Sequence, residues 1–267
     1  MTALLDARQR AMLAEMGIRW NEHLARSETG AAKSPSGSVA QEQVVVGPRA
    51  ASASPVLSPR AASAPVPVAT GAMAPRAAAI ELMEWDALAQ AVAECRACPL
   101  CAGRRNTVFG VGDRQADWLV VGEAPGENED LQGEPFVGPA GKLLDNMLRA
   151  LRLDRHHKVY IANVLKCRPP ANRNPDPQEV AQCEPFLRRQ VQLLRPRIIL
   201  AMGRFAVQSL LGNNEPIGKL RGRIHSYREV PVVVTYHPAY LLRNPADKAR
   251  AWEDLCLALD WMGRQPV

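Results

Sequence analysis

The sequence predicts an α/β fold with three layers, in which helices cover both faces of a four-stranded parallel sheet and a disordered N-terminal tail precedes the domain. Four short apolar runs predict the strands, over residues 117–123, 159–165, 197–201 and 230–236. Helical patterns alternate with these runs, over residues 139–151, 176–194, 204–211 and 245–262. Nearly continuous apolar strands separated by helices are typical of a parallel sheet that is buried on both faces.

The N-terminal third of the chain differs in composition from the rest. Residues 1–27 space Leu and Met in a helical pattern, which predicts a short docking helix. Residues 28–79 are rich in Ala, Pro and Ser and contain no aromatic residue. We expect a disordered linker there, because such a segment buries too little apolar area to offset its conformational entropy. Residues 80–267 form the predicted domain, which begins with an amphipathic helix over residues 80–95.

The chain is basic, with a formal net charge of +6. No apolar run approaches the roughly 20 residues of a membrane helix, and the N-terminus has no signal-peptide pattern. We therefore expect an intracellular protein, working in a bacterial cytoplasm. Arg221, in the RGR sequence at 221–223, and Arg243 are candidates for contacts with an acidic partner such as DNA. Solvated basic surface is the alternative interpretation of both.

Polar segments follow three of the predicted strands. GEAPGENED, at 122–130, follows the first strand, Asn163 lies near the end of the second, and HPAYLL, at 237–242, follows the fourth. Ligands of parallel sheets bind beyond the carboxyl ends of the strands, so we expect these segments to share one site. The carboxylates of the first segment argue against a phosphate cradle, which uses backbone N–H groups and a lysine.

All six cysteines lie after the linker. A pair with the spacing Cys-x2-Cys and a second with the spacing Cys-x15-Cys supply four thiolates, at Cys95, Cys98, Cys167 and Cys183. Four soft ligands suit a structural zinc or an iron–sulfur cluster, and the lack of a neighbouring histidine favours iron–sulfur. Cys101 forms a second Cys-x2-Cys with Cys98, so whether Cys101 competes with Cys98 as a ligand stays open. Cys256 lies in an apolar helical pattern and is expected in the core.

Five segments in a fixed order resemble a known family. They read ECRAC, VVGEAPGENED, GEPFVGPAGKLLD, VYIANVLKCRPP and YHPAYLLRNP. Together they resemble the family 4 uracil-DNA glycosylases, the iron–sulfur branch of that superfamily. The resemblance implies a base excision repair enzyme that flips uracil out of DNA and hydrolyses its N-glycosidic bond, leaving an abasic site. It also implies a structural [4Fe–4S] cluster, held by Cys95, Cys98, Cys167 and Cys183.

The resemblance assigns further roles by position. It implies two motif-1 carboxylates, a base-stacking aromatic, a uracil-reading amide and a motif-2 histidine, which are Glu123, Glu129, Phe136, Asn163 and His237. Ala124 stands in the base-binding loop where other branches carry an Asp or Asn that handles the attacking water. We therefore expect Glu123 or Glu129 to take over that duty, since carboxylates also stabilise positive charge on the sugar.

The segment after His237 predicts contacts with DNA. Leu241 or Leu242 is expected to enter the gap left by the flipped base, while Arg243 touches a phosphate. Arg221 is the remaining candidate for a DNA contact. The substrate is expected to be uracil-containing DNA, bound by a monomer.

Two other functions remain open from the residues alone. In the first, Glu123, Glu129 and Asp130 hold Mg²⁺ in a nuclease or phosphoesterase. In the second, the chain is a non-enzymatic iron–sulfur partner of the replication machinery, recruited through its N-terminal helix. Part of that helix resembles the opening helix of the psi subunit of the bacterial clamp loader. A complete set of pocket side chains favours the enzyme.

Overall fold

The computed structural model describes residues 73–264 of the 267-residue chain. The predicted docking helix and most of the predicted linker lie outside the described residues. Helix α1 (Met73–Glu81) begins before the predicted domain boundary at residue 80 and packs against the later helix α5 (Pro177–Leu194). Its Arg76 donates a hydrogen bond to the carbonyl of Gln182 at 2.8 Å. Residues 73–79 therefore belong to the fold and not to the linker.

The described residues contain one six-stranded sheet, in the order β1-β3-β2-β4-β6-β5. The strands are β1 (Val111–Gly112), β2 (Trp118–Gly122), β3 (Val159–Asn163), β4 (Ile198–Met202), β5 (Ile224–Tyr227) and β6 (Val230–Thr235). The inner strands β3, β2, β4 and β6 pair in parallel, which confirms the four predicted strands. The two edge strands pair antiparallel to their neighbours and were not predicted.

Both edge strands lack a strong sequence signal. β1 has only two residues. β5 joins β6 through a two-residue turn at Arg228 and Glu229, with φ values of 48° and 70°. Such turns usually carry Asn or Gly, because positive φ is costly for other residues. The RGRIHSYREV sequence therefore gives no hairpin signal, although it forms a hairpin.

Helices cover both faces of the sheet, as predicted. Besides α1 and α5 they are α2 (Trp85–Ala93), α3 (Glu127–Gln132), α4 (Pro139–Ala150), α6 (Arg204–Leu211), α7 (Ile217–Leu220), α8 (Pro238–Arg243) and α9 (Lys248–Arg264). Successive residues of β2 face opposite layers: Val120 packs with α4 and α9, and Leu119 packs with α5 and α6. None of the helices in residues 73–264 combines the length and the apolarity needed to cross a membrane.

The single helix predicted over residues 80–95 is wrong. The chain leaves helical geometry after α1, and α2 begins at Trp85. Arg189 of α5 holds this break, because its guanidinium donates to the carbonyl of Met83 at 2.7 Å and pairs with Glu84 at 3.3 Å. The break depends on a contact distant in sequence, which local periodicity does not reveal.

A third apolar cluster brings the two cysteine segments together. Leu88 and Val92 of α2 pack with Leu165, which follows β3, and with Phe186 of α5. Cys167 and Cys183 are buried in the same cluster, and Cys95 and Cys98 pack against it. The N-terminal helices therefore deliver the first cysteine pair to the second.

Candidate active site

An open cavity lies beyond the carboxyl ends of the parallel strands. The predicted site residues along its walls are Glu123, Ala124, Glu129, Phe136, Asn163, His237 and Arg243. Arg204, at the start of α6, and residues of the loop over 169–174 complete the lining. The polar segments that follow β2, β3 and β6 therefore meet at one edge of the sheet, as the strand order predicts.

Glu123 directly follows β2 and is half-buried. Burial raises the pKa of its carboxyl from 4.5 to about 7, although the nearby positive charge of Arg204 opposes this shift. Its backbone is fixed to the neighbouring segment, because the carbonyl accepts the N–H of Leu165 at 3.1 Å. A carboxyl with a pKa near 7 suits proton transfer at neutral pH.

Glu129 lies in the first turn of α3 and lines the cavity, and both of its carboxylate oxygens accept backbone N–H groups. Its Oε1 accepts the N–H groups of Val137 and Gly138, at 2.9 and 3.1 Å, and its Oε2 accepts the N–H of Gly126 at 3.1 Å. These bonds fasten the loop after β2 to the loop before α4. The Glu129 carboxylate is thus engaged by backbone donors, whereas no hydrogen bond to the Glu123 carboxylate is seen among the described residues. The choice between the two carboxylates as the group that handles water stays a prediction.

Ala124 lines the cavity beside Glu123, and it also packs against the apolar cluster around the cysteines. Its methyl group has no polar atom with which to orient a water molecule. The carboxylate of Glu123 is therefore the adjacent group with that capacity.

Asn163 ends β3 and is 2% exposed. Its side-chain Oδ1 is buried and accepts no hydrogen bond from any described residue. The neighbour in register is Gly122, where an added Cβ would lie only 2.4 Å from this oxygen. A buried carbonyl without a donor costs free energy. The Asn163 amide is thus an acceptor that a ligand N–H would satisfy.

Phe136 adopts a left-handed backbone conformation, with a φ of 55°. Its carbonyl accepts a hydrogen bond from the Arg155 guanidinium at 2.8 Å. The same carbonyl lies so close to Gly141 that an added Cβ there would be 1.7 Å away. These contacts hold the backbone in a costly conformation, and the ring stacks on His237 with a centroid distance of 5.4 Å and an interplanar angle of 28°.

His237 caps the N-terminus of α8. Its Nδ1 accepts the backbone N–H of Ala239 at 3.1 Å, which places the proton of a neutral ring on Nε2. Burial, assisted by the positive charge of Arg243, lowers the pKa of His237 to about 4. At neutral pH the side chain is therefore an uncharged N–H donor.

The two candidate wedge residues differ in position. Leu241 is 0% exposed and packs in the core beneath α8, so its prediction as a DNA wedge is wrong. Leu242 is 44% exposed, and its wedge role stays a prediction.

The two candidate arginines also differ. Arg221 pairs with Asp254 at 3.1 Å and with Glu253 at 2.9 Å, and only 14% of its side chain is exposed. Its charge is neutralised within the protein, so its prediction as a DNA contact is wrong. Arg243 is exposed at the end of α8 and lines the cavity, and its phosphate contact stays a prediction.

The predicted cysteine ligands line a second, small cavity between α2 and α5. Cys95, Cys98, Cys167 and Cys183 all contribute to it, and Cys101 is not among its lining residues. This arrangement favours Cys98 over Cys101 as the second member of the set. Cys256 is part of α9 and packs against the core, as predicted.

The sulfur atoms in this cavity accept hydrogen bonds from cationic and backbone groups. Arg104 donates to Cys167 at 3.1 Å, Arg76 donates to Cys95 at 3.5 Å, and the backbone N–H of Lys166 donates to Cys183 at 3.3 Å. Burial raises the pKa of the Cys183 thiol to about 12, so a cationic group is needed to ionise it near neutral pH. These donors fit a thiolate-bound group. Across residues 73–264, however, no set of three or more His, Cys, Asp or Glu side chains is arranged so that it could hold a metal ion.

The sequence analysis did not identify Arg204, which lines the active-site cavity, or Lys166, which lines the cysteine cavity. Arg204 follows the carboxyl end of β4 and faces the same cavity. Its position after a predicted parallel strand is a signal that would have found it. Lys166 is a lysine directly after the apolar run over 159–165, and it is 1% exposed. A charged residue at the end of a buried run is the corresponding signal.

Comparisons of the sequence with known proteins find related enzymes. A sequence model of the uracil DNA glycosylase superfamily matches residues 109–256. A type-4 uracil-DNA glycosylase of Archaeoglobus fulgidus is 44% identical over 168 residues, which cover 60% of this chain and 84% of the relative. The Thermotoga maritima type-4 enzyme is 44% identical over 172 residues, 64% of this chain and 88% of the relative. That of Saccharolobus solfataricus is 38% identical over 190 residues, 68% and 88% of the two chains. The chain therefore belongs to the uracil-DNA glycosylase superfamily and, within it, to the type-4 glycosylases.

Proposed function

We propose that the chain removes uracil from DNA by hydrolysing the N-glycosidic bond, which leaves an abasic site for repair. The observation that carries this proposal is the buried Oδ1 of Asn163, which has no donor among the described residues. Uracil presents an N3–H donor beside its O4 acceptor, and the amide offers the complementary acceptor and donor. Cytosine presents the opposite polarity at these two atoms, so the same amide discriminates against it.

The base reaches this amide only after it leaves the DNA stack. Unstacking costs a few kcal/mol, and an aromatic side chain at the pocket offsets part of that cost. Phe136 supplies such a ring next to Asn163, since both lie against Gly122. The hydrogen bond from Arg155 to its carbonyl holds the backbone of Phe136 before a base arrives.

The departing uracil carries negative charge, which His237 is suited to stabilise. A neutral imidazole with its proton on Nε2 donates a hydrogen bond to O2 of the leaving base without transferring the proton fully. The lowered pKa of His237 keeps this donor in one protonation state across the physiological range.

The sugar acquires positive charge as the bond breaks. A carboxylate at Glu123 stabilises this charge and accepts a proton from the attacking water. Because the pKa of Glu123 is about 7, the ionised fraction of this group increases as the pH rises through neutrality. Arg204 limits that shift and keeps part of the population ionised at pH 7.

Excision in the presence of a chelator tests the function. The full chain is incubated with a uracil-containing oligonucleotide and EDTA, and free uracil and alkali-labile sites are measured. We expect one abasic site per uracil released and an intact backbone before alkali treatment. Strand cleavage that stops with EDTA would instead favour the metal-dependent nuclease. Against that alternative, Asp130 is buried and its Oδ1 accepts the backbone N–H of Arg105 at 2.9 Å.

We further propose that Cys95, Cys98, Cys167 and Cys183 hold a [4Fe–4S] cluster with a structural role. Four thiols and the hydrogen bonds to their sulfur atoms support this assignment. When bound, the cluster would tie α2 and α5 to the segment after β3. Protein purified without oxygen should contain about four iron and four sulfide per chain. Stoichiometric zinc without acid-labile sulfide would contradict the assignment.

The N-terminal segment is proposed to recruit the enzyme to a replication or repair protein, while the domain works as a monomer on DNA in a bacterial cytoplasm. A chain starting at Met73 keeps α1 and every pocket residue. We expect it to excise uracil from short DNA at the rate of the full chain. A large loss of turnover would show that the segment contributes to catalysis and not to recruitment alone.

A further inference from the structure

Lys166 is a buried lysine whose ammonium group is fully paired. The residue is 1% exposed. Its Nζ donates to the carbonyl oxygens of Asn163 and Phe109, at 2.9 and 3.2 Å, and to Oε1 of Gln190 at 2.7 Å. An ammonium group has three N–H donors, so these three acceptors match its full capacity. Such a complete set indicates a specific role rather than a lysine stem that only covers apolar surface.

One of these bonds reaches the residue that is proposed to read the base. Asn163 is the last residue of β3, where the chain leaves the regular ladder. Its carbonyl would lack a strand partner there, and the Lys166 ammonium group caps it. The side chain of Lys166 thereby holds the backbone of Asn163 through its carbonyl.

Val164 and Leu165, which lie between Asn163 and Lys166, bind the backbone at the end of β2. The N–H of Val164 donates to the carbonyl of Gly122 at 3.0 Å, and the N–H of Leu165 donates to that of Glu123 at 3.1 Å. The segment from Asn163 to Lys166 therefore supports both walls of the pocket. A shift in this segment would move the amide relative to Gly122 and Glu123.

The other two partners of the Lys166 ammonium group, Gln190 and Phe109, also bind each other. Gln190 belongs to α5, and its Nε2 donates to the carbonyl of Phe109 at 2.9 Å. Lys166, Gln190 and Phe109 thus form a closed set of hydrogen bonds. The backbone N–H and carbonyl of Lys166 are also paired, with Cys183 and with Val108.

We propose that Lys166 is a positioning residue that fixes Asn163 for base recognition by capping its carbonyl and tying it to α5. This inference rests on the proposed function, in which Asn163 reads uracil. It does not make Lys166 a catalytic residue, because the ammonium group binds protein atoms and Lys166 is not among the residues that line the active-site cavity. Removal of the cap should impair excision through Asn163 and not through a general loss of structure.

A double-mutant cycle separates these two routes. Lys166→Met keeps most of the side-chain volume and removes the three donors, and Asn163→Ala removes the base-reading amide. We expect Lys166→Met to lower single-turnover excision of uracil on the order of tenfold, because two backbone carbonyls lose a buried donor. In the Asn163→Ala background the same change should have little further effect, since there is no amide left to position.

Two additional variants keep the test decisive. Arg104→Met removes a donor to Cys167 in the cysteine cavity, which Lys166 also lines, and leaves Asn163 untouched. The factors by which Arg104→Met and Asn163→Ala lower the excision rate should therefore multiply. Gln190→Met weakens the network while Lys166 stays in place. It should give a smaller loss that also disappears in the Asn163→Ala background. If Lys166→Met does not fold, Gln190→Met decides by the same criterion.

The outcomes distinguish the inference from the function on which it rests. Wild-type protein that releases no uracil would overturn the proposed function. Two results would overturn the positioning role alone while wild-type protein remains active. In the first, Lys166→Met lowers the excision rate by the same factor with Asn163 present as in the Asn163→Ala background. In the second, Lys166→Met excises uracil at the wild-type rate. The thermal midpoint and the iron content of each variant are measured alongside. Changes in these two quantities should not explain the non-additive effects of Lys166→Met and Asn163→Ala on excision.

Discussion

A methyl group added at Gly122 should close the base pocket. Gly122 ends β2 between the Asn163 amide and the Phe136 ring. In Gly122→Ala the new Cβ would lie 2.4 Å from Oδ1 of Asn163 and 2.5 Å from Cζ of Phe136. Both distances are shorter than any ordinary van der Waals contact, so each side chain must retreat by about 1 Å.

The magnitude of the effect follows from that displacement. Misplacement of a binding group by about 1 Å costs on the order of a hundredfold in rate. Overpacking of a core typically costs about 1–3 kcal/mol of stability. We therefore expect Gly122→Ala to fold with a lowered thermal midpoint and to excise uracil about a hundredfold more slowly than wild type.

The assay is single-turnover release of uracil from single-stranded DNA, where base pairing does not contribute. Gly218→Ala is the matched control, because Gly218 lines the same cavity and an added Cβ would meet no described atom within 4 Å. The control should keep the wild-type rate. Wild-type activity of Gly122→Ala would refute the pocket geometry, and equal losses in both variants would show that the effect is not specific to the base site.

Three other changes test individual side chains. Asn163→Asp should reduce uracil excision about a hundredfold, because an ionised carboxylate has no donor for O4 and repels the leaving anion; an unchanged rate would show that Asn163 does not read the base. The pKa of Glu123 in the folded state is raised from 4.5 to about 7. The kcat/KM of the wild type should therefore increase as the pH rises through neutrality, and Glu123→Gln should abolish this increase. Since ionising a group with a raised pKa destabilises the native chain, Glu123→Gln should also gain about 1 kcal/mol in urea unfolding at pH 8, and less as the pH falls toward 5. Leu242→Ala should slow excision from duplex DNA more than from single-stranded DNA, and equal effects on both DNA forms would exclude the wedge role of Leu242. Leu241→Ala should instead lower the free energy of unfolding by about 2–5 kcal/mol.

The parallel part of the fold could be predicted because it depends on local patterns. The apolar runs of the four inner strands are short, continuous and separated by helical periodicity, and their order places Asn163 and His237 at one edge. The edge hairpin escaped prediction, since Arg228 and Glu229 adopt positive φ without the residues that normally indicate it. Its formation depends on pairing with an already buried neighbour, β6.

The errors within the site have a similar physical origin. Leu241 and Leu242 are adjacent, and which of them faces the core depends on where α8 begins, at Pro238. Arg221 looks like a free basic residue in the sequence, but its carboxylate partner Asp254 is 33 residues away. Nor does the sequence reveal the three backbone N–H groups that bind the Glu129 carboxylate, whose catalytic role stays a prediction. Tertiary contacts of this kind leave no local signal.

The three N–H groups that Glu129 binds have a consequence for how damage is found. They join the loop after β2 to the loop before α4, so the receptor for the base is rigid before any DNA is present. A preformed receptor pays little ordering entropy on capture. In duplex DNA the base must also leave its pair, and the free-energy cost of that step falls when the pairing is weak. A uracil opposite guanine, as left by cytosine deamination, opens more readily than one opposite adenine. With a receptor that is already ordered, we expect the enzyme to excise uracil faster from a pair with guanine than from a pair with adenine.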